Sequence, residues 1–572
     1  MGIPFLGNHF VIINFLIAPL YAVFPSPLTL LYLQSFLLAG GAWFVYRLGL
    51  RLLDGGFALS LAFVYLLYPA LLFVALFEFH PVALAVFFLL GALEAFERQS
   101  LRPFLIFLSL ALTCQEDVSL VVAALGVYGV LRRRPLVWVL TPLGLGISWF
   151  CVSVFILMPR WNPGTINFSL LYSHLGRTPQ EVFGFILFHP LRTVSVMLEG
   201  ADRKRFILNL LAPLGFLPFL DPKSFLLTLP GFLEQLLSNR SRQHLLLFHY
   251  SALLIPFLFF AALQGLRRLL RLPVLSANRR SIQLLLIGLV AVTAVGFGPL
   301  GSFGELHREL QFDIMDMKRE QLSRKVPPEA SVVATFEFLP HLANRRHLYS
   351  SHRLYKGLYD LFGQDDTFPR GIDLLLIDFN DPLTLAFMEG TEDADRKLSQ
   401  FLKGWKIREA FGDLVCFEKG GGTSLIQPVA DFSTPQNIHV QIDDAFALLG
   451  LTGFSGVGKE GGILPLTFSW ECLKPTPKQY GLILEFLDGK KRVVTRNYHS
   501  IGYRMVPTFR WKKGERFEET YSLVLPAPAE GERSYELKIA CVDEDEGHLV
   551  PLEAGGSTTD TISLGSIEVS GG

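Results

Sequence analysis

Ten runs free of Lys, Arg, Asp and Glu succeed one another in the first half of the chain, at 27–46, 55–77, 81–93, 103–114, 118–131, 135–159, 206–220, 224–233, 245–266 and 281–300. A helix made of such a run is apolar on every face, so lipid or other helices surround it, not water. About 20 such residues cross a bilayer. The runs 27–46, 55–77, 135–159, 245–266 and 281–300 qualify unaided. The shorter ones need helical neighbours or a locally thinner apolar zone. Residues 10–24 are also apolar, but Asn14 and Pro19 interrupt them, which predicts an interfacial or re-entrant helix.

The charges between the runs carry the topology. If each run crosses once, one set of loops holds Arg47 and Arg51, Arg98 and Arg102, Arg132, Arg133 and Arg134, Lys223, and Arg267, Arg268, Arg271, Arg279 and Arg280. The first two opposite loops hold Glu78, His80, Glu116 and Asp117. Basic loops stay cytoplasmic, so the acidic turns face outward. The same rule splits 103–131 into two short helices around Gln115-Glu116-Asp117, because a single long helix would carry Arg132, Arg133 and Arg134 outward. Residues 160–205 become an external loop with a turn at Trp161-Asn162-Pro163-Gly164 and an amphipathic surface helix over 180–199. Arg203-Lys204-Arg205, at its end, runs against the charge rule.

Beyond residue 304 the composition is that of a soluble protein, so the chain's zero net charge averages two solvents. Residues 305–325 predict a charged helix ended by Val326-Pro327-Pro328. Buried strands are expected at 331–336 and 373–379, a helix at 392–403, and a third strand within 405–417. That is a small α/β domain over 305–420. A linker with Gly, Ser and Pro follows at 421–436. Alternating segments such as 464–470, 481–486, 521–525 and 535–542, separated by Gly and Pro turns, predict an all-β sandwich over 437–572. The fold class is a polytopic α-helical membrane domain over 1–304, then a soluble α/β domain and a C-terminal β-sandwich. No single basic patch exists, so no nucleic-acid partner is expected. The five cysteines contain no Cys-x-x-Cys pair, and Cys472 and Cys541 are either paired or two buried thiols. No cleavable signal peptide is expected at Met1, which no basic segment follows.

Several short pieces stand in a recognisable order: His9-Phe10; Pro25-Ser26-Pro27-Leu28-Thr29-Leu30 with Gln34; Phe79-His80-Pro81; Gln115-Glu116-Asp117; His249-Tyr250-Ser251-Ala252 with Pro256-Phe257; Pro328-Glu329-Ala330-Ser331-Val332; and Pro340-His341-Leu342-Ala343-Asn344-Arg345. Together they resemble a prokaryotic family of predicted multi-pass membrane proteins, domain of unknown function 2079, over roughly residues 5–420. That family in turn looks like the GT-C superfamily, which transfers sugars from polyprenyl-phosphate donors at the outer membrane face. The resemblance implies an integral protein of the prokaryotic cytoplasmic membrane whose partners are the lipid bilayer and a polyprenyl-phosphate-linked sugar. The final domain is similar to β-sandwich modules that follow such cores, around Trp470, Tyr480 and Trp511. One departure stands out. GT-C enzymes open with a span and an acid-bearing external loop, whereas the first acid here is Asp54, placed on the cytoplasmic side. The alternative reading is a non-catalytic membrane scaffold or a lipid- or glycan-binding protein.

Ionisable groups between apolar runs are costly to leave in hydrocarbon and are functional candidates by default. Glu78 and His80 are a candidate catalytic pair, against a plain helix-breaking turn before Pro81. Glu116 is the first choice for a catalytic acid, and Glu116→Gln is expected to abolish transfer. Glu116 with Asp117 could hold a divalent cation such as Mg or Mn, hard ions that favour carboxylate oxygens. Capping of the helix that starts at Val118 competes as the explanation of Asp117. Asp117, Glu234, Arg240, Arg242 and His249 are the substrate-binding candidates, the arginines because a guanidinium grips phosphate through two bonds. Trp470, Tyr480 and Trp511 are expected in the sandwich core, with sugar stacking as the minority reading. Asp543-Glu544-Asp545-Glu546 is either a calcium site or a solvated turn. The stretch Gly453-Phe454-Ser455-Gly456-Val457-Gly458-Lys459-Glu460 imitates a phosphate loop, but Glu460 replaces the magnesium-binding hydroxyl and a plain turn is expected.

Overall fold

The structure, a computed structural model, describes residues 5–162, 171–302, 304, 314–356, 371–389, 391, 393–421, 424–433, 437–454, 456–526 and 533–570. Pro163 and Gly164, residues 305–313 of the expected charged helix, and 422–423 and 434–436 of the expected linker lie outside the described residues. Contacts divide the chain into two compact units, one within residues 1–310 and one within 311–572.

The first unit is helical. Its main helices are α1 (Ile13–Val23), α2 (Pro27–Leu52), α3 (Gly55–Leu66), α4 (Pro69–Leu76), α5 (Pro81–Arg98), α6 (Leu101–Leu112), α7 (Val118–Leu131), α8 (Leu136–Trp161), α9 (Pro179–Phe188), α10 (Pro190–Met197), α11 (Gly200–Leu211), α12 (Leu229–Leu236), α13 (Ile255–Leu269) and α14 (Arg279–Gly296). Ser26 starts α2 by accepting from Leu28 N, with Pro27 in the first turn, and Asp54 caps α3 through Gly56 N and Phe57 N. Of the described helices, α2, α8 and α14 are long and apolar enough to cross a membrane, and α3 with α4 adds a fourth as a pair bent by 44°.

Three expectations change. Residues 55–77 do not form one straight helix but a bent pair, because Pro69 lacks an N–H and restarts the helix after Leu67 and Tyr68. The run 245–266 is not one helix either. Short 3₁₀ turns at Ser241–His244 and His249–Ser251 precede α13, whose first turn holds Pro256. Pro190 likewise divides 180–199 into α9 and α10.

The charged loops separate by end. Arg47, Arg51 and Arg98 gather around Glu94, Arg134 pairs with Glu97, Arg268 with Asp221, and Lys223 donates to Leu131 O. His80 stands at the opposite end of α5, just ahead of Pro81. That 18-residue helix separates the two ends by about 27 Å, close to the hydrocarbon thickness of a bilayer. Arg203 breaks the pattern, since it donates to Ser238 O beside α12.

Glycines let α7 and α8 approach closely. A Cβ on Gly146 would lie 2.6 Å from Ser119 O and Ala123 N, and one on Gly126 would lie 2.7 Å from Val139 O. Small residues serve this purpose between helices in lipid, where no hydrophobic force draws helices together.

The second unit contains a five-stranded sheet, ordered β2 (Leu348–Ser350), β1 (Val332–Ala334), β3 (Leu374–Asp378), β5 (Leu414–Lys419) and β4 (Trp405–Phe411). Strand β1 runs parallel to β2 and β3, while β3–β5 and β4–β5 are antiparallel. The single strand expected within 405–417 is thus a hairpin, turned at Gly412 with φ +58°, a left-handed conformation that suits glycine. Two further sheets form the sandwich. Ile463–Cys472 lies between Phe446–Thr452 and Arg516–Val524 in one, and Tyr480–Leu487 between Val493–Ser500 and Ser534–Asp543 in the other. Trp470, Tyr480 and Trp511 are buried core aromatics, so the sugar-stacking reading falls. Cys472 and Cys541 are free and buried. Val457–Lys459 is a short strand paired with the chain's last strand, so no helix follows the phosphate-loop imitation.

Candidate functional site

A cavity of about 440 Å³ opens at the end of the helical unit away from the Glu94 cluster, and distant stretches of chain line it. They are the segment before α1 (His9), the turn before α5 (His80), the α6–α7 turn (Glu116, Asp117), α12 (Glu234) and the 240–250 segment (Arg240, His249). The structure brings His80, Glu116, Asp117, Glu234, Arg240 and His249 to one place. Glu78 and Arg242 are exposed and are not part of the cavity wall, although Glu78 O holds His80 Nδ1 at 3.0 Å.

The α6–α7 turn is clasped by the start of the chain. Glu116 Oε1 lies 2.9 Å from His9 Nδ1, Glu116 Oε2 accepts from Phe10 N at 2.9 Å, and Ile13 N donates to Thr113 O at 2.9 Å. Both oxygens of Glu116 are therefore engaged. Burial lowers the His9 pKa, but the hydrogen bond and charge of Glu116 outweigh it and hold the imidazole above its ordinary value. His9 thus tends toward the protonated form beside the cavity. Its position was not legible, because its partner is 107 residues away. Its signal, an imidazole just ahead of an apolar run, is the same one that singles out His80.

Asp117 is the less committed acid. It occupies the N-cap position of α7 without the usual side-chain cap hydrogen bond to the second or third residue of the helix. It is only 6% exposed. Its Oδ2 accepts from Gln115 Nε2 at 2.8 Å, and the Glu234 carboxyl, pushed well above the usual carboxylate range by burial and by Asp117, shares a hydrogen bond with it. Burial, then the negative charge of Glu116, pushes its pKa up to about 7. The Glu234 carboxyl lies beside it, and Tyr172 OH donates to Glu234 O at 2.8 Å.

The imidazoles of His80 and His249 stack at 3.6 Å between centroids, 16° from parallel, with Phe77 and Tyr250 against them. Gln34 fixes this wall, since its Oε1 accepts from His80 N at 2.9 Å while its Nε2 donates to Val74 O at 3.1 Å. Burial keeps both rings neutral, and His249 is held down to about 3 by burial and then by the neighbouring imidazoles. Neutral rings can stack this closely, whereas two imidazolium ions would repel. His249 Nδ1 has no hydrogen-bond partner among the described residues.

The remaining wall comes from the end of α8. Residues 153–157 of that helix wind as a π turn, and Val154, Met158, Pro159 and Asn162 line the cavity from there onward. Insertions of this kind recur at functional sites.

Comparison with known proteins matches no curated protein. Among solved structures, the chain is similar to the crystal structure of the Archaeoglobus fulgidus oligosaccharyltransferase in complex with Zn and sulfate, at 11% identity. That match covers 95% of this chain and 88% of the other, with a TM-score of 0.29. The family model described as predicted membrane protein (DUF2079) matches residues 1–407, a stretch that holds the whole cavity wall, and the chain belongs to that family.

Proposed function

We propose that the protein is a GT-C-like membrane glycosyltransferase that moves a sugar from a polyprenyl-phosphate donor to an acceptor hydroxyl. The carrying observation is the convergence of Asp117, Glu116, Glu234, His9, His80, His249 and Arg240 on one cavity at a helix-bundle end. By the charge rule that end is the outer face of the cytoplasmic membrane, and the α/β and β-sandwich portions share the extracytoplasmic space.

In this reading Asp117 Oδ1 takes the acceptor proton. A base whose pKa lies near the operating pH is best matched to that task. The acceptor oxygen bonds to the anomeric carbon as the carbon–oxygen bond to phosphate breaks. The phosphate departs with the bonding electron pair, beside Arg240 and protonated His9. Glu116 is a positioning residue, holding His9 in place and charged. A hard divalent cation such as Mg or Mn is the alternative use of the same place: it would be held by the ionised carboxylates of Asp117 and Glu234, since the oxygens of Glu116 are engaged, and Asp117 would then not serve as the base. Such an ion would supply charge to the leaving phosphate.

The test is transfer by purified protein in liposomes containing polyprenyl-phosphate hexose. Asp117→Asn is expected to lower turnover by about 10²-fold or more, the usual weight of a general base. Undiminished turnover in that variant removes Asp117 from the mechanism. Donor binding without transfer in the unmodified protein favours the lipid- or glycan-binding reading instead.

A further inference from the structure

The end of the bundle opposite the cavity carries a second charged cluster that the transfer reading does not use. Helices α2 and α5 pack together, and their last turns bring Arg47, Arg51, Glu94 and Arg98 into one place. Arg47 Nη2 lies 3.1 Å from Glu94 Oε1, Arg98 Nη1 3.7 Å and Arg51 Nε 3.8 Å from the same oxygen. All three are ion pairs by distance, and none is a well-aligned hydrogen bond to that oxygen. Glu94 is buried, while the three arginine side chains are 35–43% exposed. Neighbouring acids are engaged elsewhere, Glu97 with Arg134 and Asp54 with Arg279.

The charges do not cancel. Glu94 supplies one negative charge, and two helix C-termini add about half a charge each. Three guanidinium groups exceed that sum. Arg51 and Arg98 are therefore partly exposed cations without a close acceptor at Glu94. Exposed apolar side chains flank Arg47. Trp43 and Leu50 lie one turn to either side of Arg47 on α2, 57% and 47% exposed, and the Arg47 guanidinium sits 6.0 Å from the Trp43 ring centroid. A ligand that suits this place has a phosphate at one end and a hydrocarbon chain at the other.

We propose that Arg47, Arg51 and Arg98 bind the phosphate of an anionic phospholipid headgroup, with an acyl chain lying along Trp43. The shared recognition chemistry is a phosphate oxygen pair in a guanidinium fork. Basic pockets between helices on the cytoplasmic side are suited to anionic headgroups. The proposal does not depend on what the opposite cavity does.

Native mass spectrometry of the full chain, released from nanodiscs of mixed phosphatidylglycerol and phosphatidylcholine, tests it. Preferential retention of phosphatidylglycerol is expected. The double variant Arg51→Gln/Arg98→Gln leaves the Arg47–Glu94 pair intact and is expected to retain it about tenfold more weakly or worse, from the loss of two surface charges. The pair Arg51→Lys/Arg98→Lys keeps the charge without the fork and should fall between the two, which guards against a folding defect in the first variant. Equal retention of both lipids by the unmodified protein, or unchanged retention in both variants, overturns the proposal. Displacement of the lipid by millimolar inorganic phosphate also overturns it, because the site would then be one for free phosphate.

Discussion

Asp117 and Glu116 are adjacent, yet their surroundings give them different work. Asp117, raised to about 7, is protonated in acid and cannot accept a proton there. Transfer should therefore rise with pH through about 7, measured as initial rates between pH 5.5 and 8.5, and Asp117→Asn should lose that rise along with the activity. Glu116 meets an N–H with one oxygen and an imidazole with the other. In Glu116→Gln one of those partners faces an amide in place of a carboxylate oxygen, and His9 loses the charge that raises its pKa. We expect a loss of about 1–3 kcal/mol in stability, the cost of an unmet buried polar group, read by thermal melting in detergent. The His9 pKa followed by NMR should fall in the same variant to below its ordinary imidazole value, since burial is then opposed chiefly by the charge of Asp117.

At the scale of elements, the sequence disclosed where helices are apolar and where charge interrupts them. The acidic turn at 115–117 and the basic ends at 47–51 and 98–102 were legible because burying an ion in lipid is costly whatever the tertiary fold. The breaks were harder to place. Pro69 and Pro256 sit inside uncharged stretches, and hydropathy counts proline only weakly although it removes an N–H. Pairings across the fold, such as His80 with His249 or His9 with Glu116, carry no local signal. Close packing of α7 on α8 is a further feature of this kind, visible only once Gly146 is seen against Ser119 O. Gly146→Val should cost about 1–3 kcal/mol through overpacking, and should disturb the first turn of α7 that follows Asp117. Cooperative melting at an unchanged temperature would show that the contact is looser than described.

On the scale of the whole molecule, each unit has its own core and its own buried charge. In the second unit His499 is fully buried, with Nδ1 2.9 Å from Asp413 Oδ1 and Nε2 3.1 Å from Glu519 Oε1. Asp413 belongs to the β4–β5 turn and Glu519 to the sandwich, where Glu519 Oε2 also accepts from Trp470 Nε1 at 2.9 Å. Burial opposes the charge on His499, but Asp413 and Glu519 raise its pKa to about 10. Its contribution to stability is complete below the free imidazole value near 6.5 and is lost as pH rises through about 10. Chemical unfolding at pH 7 and pH 10.5 should show the loss, and His499→Gln should cost about 3–5 kcal/mol at neutral pH by stranding two buried acids. In the first unit, the widened winding at 153–157 has a consequence for anyone who trims or aligns this chain. Deleting a single residue there would restore ordinary pitch and keep the register, whereas straightening the turn with all its residues kept would rotate the end of α8 by about 100°. In the second case Met158 and Asn162 would point away from the cavity and open one of its walls.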